Sequence, residues 1–90
     1  MSGNRLTMPR FFFHVEGVPD DLGVDLPTVA QAKCEAARYA ARLLCDAAES
    51  FWTTGELTVV VTDEARLTLF ALSINGTDAP AIRIAPTIPA

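Results

Sequence analysis

The sequence predicts a small α+β domain: an antiparallel sheet of three to four strands with one long helix packed on one face, in the order β-β-α-β-β. Three observations predict it. An aromatic run, Arg10-Phe11-Phe12-Phe13-His14-Val15, has strand propensity. From Thr28 to the low fifties, apolar residues recur at helical spacing. A valine-rich run, Glu56-Leu57-Thr58-Val59-Val60-Val61-Thr62, meets a second apolar run after four turn residues, which is a hairpin pattern.

Taken in order, Met8 reads as a second start, and the first strand spans Arg10–Val15. Gly17, Pro19, Asp20 and Asp21 break it with turn chemistry. Leu22-Gly23-Val24-Asp25-Leu26 forms a brief second strand paired back on the first. Pro27–Gln31 opens the helix; Thr28 caps its free amides and Gln31 completes a capping box. Val29, Ala32, Ala36, Ala40, Leu43, Ala47 and Phe51 form one stripe, with Gln31, Glu35, Arg38, Arg42, Asp46 and Glu49 opposite. Glu35 and Arg38 stand at a spacing that lets their side chains meet. Because alanine dominates the stripe, something bulky must lie close against it, and the three phenylalanines of the first strand are the candidates. Thr53, Thr54 and Gly55 end the helix. Leu67–Ile74 is the return strand of the hairpin, closed by Asn75-Gly76. The domain therefore covers 8–76, with a flexible extension at 1–7 and a loose, proline-containing tail at 77–90. A helix crossing between strands fixes their directions, and the sheet order 2-1-3-4 makes every neighbouring pair antiparallel.

Ninety residues hold one domain, half of them apolar, with a net charge of −4. That balance argues against a nucleic-acid module, and no apolar run reaches membrane-spanning length. The opening residues lack the apolar core of a signal peptide, so the expected compartment is the cytoplasm. Cys34 and Cys45 agree. Eleven positions apart on one helix, they sit ~16 Å from each other and cannot bridge; they are expected to be reduced and half-buried.

Strand alternation places Phe11, Phe13 and Val15 with Leu57, Val59 and Val61 on one side of the sheet. Phe12, His14, Thr58, Val60 and Thr62 fall on the other. The last strand adds either Leu67, Leu69 and Ala71 or Phe70, Leu72 and Ile74 to that second side. Either way the face without the helix keeps large apolar groups, which soluble monomers seldom leave in water. A helix of roughly 24 residues, ~36 Å long, also overhangs a seven-residue strand, so Phe51 and Trp52 either project past the sheet for a second copy to cover, or are tucked onto the core by a helix that bends or stops early. The candidate interaction surface is therefore Phe12, His14, Val60, Phe70, Leu72, Phe51 and Trp52, and its expected use is a homodimer or the binding of a small protein partner.

Catalytic signals are sparse. His14 is the one histidine, expected half-buried with a ring nitrogen bonded to a neighbour. Asp20, Asp21 and Asp25 lack the spacing of a calcium loop and read as turn residues. No nucleophile motif, phosphate loop or metal-ligand spacing is present, so no cofactor, metal or catalytic residue is expected.

The run Met8-Pro9-Arg10-Phe11-Phe12-Phe13-His14-Val15, then Asp20-Asp21-Leu22-Gly23-Val24-Asp25-Leu26-Pro27, an Ala-rich helix and Leu57–Glu64 resembles a family of short proteins of unknown function from rhizobium-like bacteria. In that pattern a glycine usually follows the acidic pair, where this chain has Ala65-Arg66. A weaker similarity is to HicB-type antitoxins, which implies a toxin partner bound through sheet or helix. The sequence thus predicts a small interaction or dimerisation module without catalysis. The alternatives are an antitoxin-like regulatory subunit and a small enzyme using His14 with a nearby carboxylate.

Overall fold

A computed structural model describes residues 8–83. The predicted extension at 1–7 and the end of the predicted tail, 84–90, lie outside the described residues. The order is β1 (Arg10–Val15), β2 (Val24–Asp25), α1 (Val29–Asp46), α2 (Ala48–Thr54), β3 (Glu56–Thr62) and β4 (Thr68–Asn75), then a 3-10 turn at Pro80–Arg83. The sheet has the order β2-β1-β3-β4 with every pair antiparallel, the arrangement the chain directions require.

The core follows from alternation on two strands and small residues on one helix. Phe11, Phe13, Val59 and Val61 face α1, where Ala32, Ala36 and Ala40 are fully buried against them. Alanine lets the helix axis sit close to the sheet, and the phenylalanine rings fill the space alongside. Val59 and Val61 are both 0 % exposed, and each such burial contributes about 1.5–3 kcal/mol. At the start of α1, Thr28 Oγ1 accepts the Gln31 amide at 3.1 Å.

Two expectations change. The single long helix is broken: Ala47 leaves the helical region at φ −132°, ψ 43°, and a separate short helix follows. The break lays Phe51 back on the sheet end, where it is half-buried, instead of carrying it beyond the strands. The thiols of Cys34 and Cys45 are exposed, not half-buried. Cys34 sits midway between Ala32 and Ala36, so it points away from the stripe they form.

Candidate functional site

The residues expected to form one surface fall into three groups. Register decides the first division. Val59 faces Leu72, Val61 faces Phe70 and Leu57 faces Ile74, and directly opposed residues share a face. Phe70 and Leu72 therefore lie on the helix side, not on the open face where they were expected with Phe12, His14 and Val60. There they are half-buried at the rim of the core. The open face carries Phe12, His14, Thr58, Val60, Thr62, Ala71 and Ser73. It is mixed in character, with a Thr58 Oγ1–Ser73 Oγ hydrogen bond of 3.1 Å across it. The expected excess of apolar surface is found elsewhere, along β4.

His14 is held at both ring nitrogens. Its Nδ1 accepts the Asp20 backbone amide at 3.1 Å, and its Nε2 lies 3.0 Å from Thr62 Oγ1. An amide can only donate, so Nδ1 is unprotonated in the neutral ring and Nε2 carries the hydrogen toward Thr62. For Nε2 to act as a base on Thr62, the ring proton would have to move to Nδ1 and break the Asp20 bond. The ring stacks near Phe12, centroids 6.4 Å apart, in a cleft of about 400 Å³ that Thr62, Asp63 and Arg66 also line.

Of the four carboxylates that line this cleft, Asp20, Asp21, Asp63 and Glu64, two are engaged with backbone. Asp63 Oδ1 accepts the amides of Ala65 (2.8 Å) and Leu67 (3.0 Å) at the hairpin turn. Arg66 completes that turn at φ 67°, a left-handed conformation that costs an L-residue about 1–2 kcal/mol. Asp20 Oδ2 accepts the Phe13 amide at 3.0 Å, and Oδ1 accepts Leu22 (3.0 Å) and Gly23 (3.1 Å). Burial works to raise this carboxyl's pKa. The three amides, with His14 close by, outweigh it and hold Asp20 below the usual carboxylate range. Gly23 has φ +73°, and a Cβ there would lie 2.8 Å from both Arg10 Cγ and Phe12 Cε2, so the turn requires glycine.

Asp20 does more than turn the chain. It belongs to a set of bonds that closes the outer edge of β1. The Pro9 carbonyl takes the Leu26 amide, Val15 exchanges both backbone bonds with Val18, and Phe11 pairs with Val24. The Phe13 amide, which points the same way, goes to Asp20. Arg10 ties down the strand behind this edge, gripping Asp25 at 2.9 and 3.1 Å and the Leu22 carbonyl at 2.7 Å. Asp25 is thus a strand residue, within the brief second strand expected at Leu22–Leu26, and its carboxylate is held in an ion pair.

The other edge differs. Among the described residues β4 has no neighbour on its outer side. Its eight residues, Thr-Leu-Phe-Ala-Leu-Ser-Ile-Asn, contain no charge and no proline. Leu69 is 42 % exposed, and Phe70, Leu72 and Ile74 are half-covered, because α1 packs over the other strands. Soluble proteins blunt such edges with lysine, proline or short length. Beyond the end of β4, Gly76 donates to the Gly55 carbonyl at 2.9 Å and supports the edge-to-face pair of Phe51 and Trp52, centroids 5.3 Å apart. Trp52 is 57 % exposed.

Among the described residues no three His, Cys, Asp or Glu side chains gather to hold a metal ion, and no helix is long and apolar enough to cross a membrane. Comparison with curated proteins finds no match, and neither does comparison with solved structures. The model of the family DUF6894, a domain of unknown function, matches residues 10–75, from the first residue of β1 to the last of β4. The expected likeness to a family of unknown function is met at that level, and this chain belongs to the DUF6894 family.

Proposed function

We propose that this chain is a small cytoplasmic protein-interaction module that self-associates as a homodimer and carries no catalytic chemistry of its own. The observation that carries the reading is the asymmetry of the sheet: one edge is the two-residue β2, with the rest of the β1 backbone behind it satisfied by the loop and by Asp20, while the other edge is long, uncharged and bare among the described residues. The committed tautomer of His14 and the backbone-engaged carboxylates of Asp20 and Asp63 support leaving catalysis out. The two exposed thiols fit a reducing compartment.

The test is mass measurement by light scattering on a size-exclusion column. The expected result at about 100 µM, a concentration at which even a modest interface of micromolar Kd is populated, is twice the 9.7 kDa chain mass. A monomer at that concentration refutes self-association. An antitoxin-like role uses the same bare edge with a different occupant. It is preferred if the chain alone is monomeric and a basic protein co-purifies in equal amount.

A further inference from the structure

We infer that two copies join by antiparallel pairing of β4 with β4 about a twofold axis, in a register centred on Leu72, to give one eight-stranded sheet. The inference rests on the self-association reading above and specifies its geometry.

The backbone of β4 fixes which groups are available. Gly76 points its amide at Gly55 on the β3 side. Strand alternation then directs Ile74, Leu72 and Phe70 toward β3, opposite Leu57, Val59 and Val61. Ala71, Ser73 and Asn75 therefore present their amides and carbonyls outward. A bulge between Val61 and Thr62 interrupts the ladder near Thr68, so the regular outward-facing run begins beyond it.

A twofold axis normal to the sheet keeps helix faces on one side, so only residues of like parity can oppose each other. Centring on Leu72 sets Ala71 opposite the partner's Ser73, and the two exchange both backbone bonds. Leu72 meets the partner's Leu72 as a close, non-hydrogen-bonded pair, and Phe70 meets the partner's Ile74. The partly covered residues of each helix side thus become one apolar row of six. No like charges are brought together, because the strand has none. A second copy is the occupant this edge fits: its donors, acceptors and apolar side chains complement themselves under the rotation, as an isologous interface requires. The sheet's far edge offers little for a third copy: β2 is two residues long, and one of them, Asp25, is held in the Arg10 ion pair.

The experiment has two arms. Ala71→Pro removes an outward amide and no bond to β3. It should be monomeric at concentrations where the parent is dimeric, with an unchanged circular-dichroism spectrum. The second arm puts single cysteines in a Cys34→Ser, Cys45→Ser background. Leu72→Cys places two thiols at the axis with Cα atoms ~4.5 Å apart, within disulfide range. Ile74→Cys places them four residues out of step, ~14 Å apart. Mild oxidation should crosslink Leu72→Cys at least about tenfold faster than Ile74→Cys, given that geometric limit. A dimeric parent whose Ile74→Cys form crosslinks as fast, or whose folded Ala71→Pro form stays dimeric, overturns this register and leaves self-association standing. If Ala71→Pro unfolds, the cysteine pair decides. A monomeric parent overturns both.

Discussion

Asp20 is the residue whose replacement tests the architecture most directly. Its carboxylate serves three amides at 3.0–3.1 Å, one across the gap on β1 (Phe13) and two within the turn (Leu22 and Gly23). Asn has a single carbonyl oxygen. In Asp20→Asn either the Phe13 amide or the Leu22–Gly23 pair faces an NH₂ group and loses its acceptor. A hydrogen bond to a charged acceptor contributes about 1.5–3 kcal/mol, and partial exposure brings this site to the lower end. The orphaned, part-buried Phe13 amide adds a desolvation cost, for a total of about 2–3 kcal/mol. In a domain of this size that is a fall in Tm of roughly 8–24 °C, read from thermal melts at pH 7. The sign of the pH dependence follows from the depressed carboxyl pKa. The stabilisation is complete above the unfolded carboxylate range, near pH 4, and is lost as pH falls through the lower folded-state value. The Tm gap between parent and variant should be full at pH 7 and begin to narrow below about pH 4. A loss under about 0.5 kcal/mol at pH 7, or a gap that does not narrow in acid, would refute the role given to this carboxylate.

Other substitutions probe the remaining elements. Arg66→Gly relieves a left-handed arginine and should stabilise by up to about 1 kcal/mol after the extra unfolded-state entropy is deducted, measured by urea titration. Ala36→Leu forces a larger side chain between α1 and the sheet, where Ala36 is 1 % exposed; a loss of about 1–3 kcal/mol is expected by the same titration. Gly76→Ala places a methyl group 2.7 Å from Trp52 Cζ3 and 2.9 Å from Phe51 Cε2. The indole must swing outward, and the fluorescence of this single tryptophan should shift to the red.

The strand order was legible because direction alone constrains it: a helical crossover and two hairpins leave few ways to pair four short strands. The inward set on β1 and β3 followed from strict alternation. β4 defeated that rule for a physical reason. Both of its phases are apolar, Leu67 and Leu69 in one and Phe70, Leu72 and Ile74 in the other, and the bulge beside Thr62 shifts phase within the strand. Asp46-Ala47-Ala48 contains no breaker, so nothing local marks the end of α1. Asp20 was legible as a turn residue from Asp-Asp-Leu-Gly, but its bond to Phe13 depends on where the loop lands. His14 was read with one bonded nitrogen; its second partner, Thr62, is 48 residues away. The left-handed turn had a trace in the sequence, since Ala65-Arg66 stands where the related pattern has glycine.

The alanine stripe that lets α1 approach the sheet has a thermodynamic corollary. Three of the seven buried core residues among those described are alanines, so the hydrophobic interior is thin. A lone protomer this lean would sit near the margin of stability. If docking with a mate supplies what the interior lacks, the melting temperature must climb with protein concentration, and dilution alone should loosen the fold.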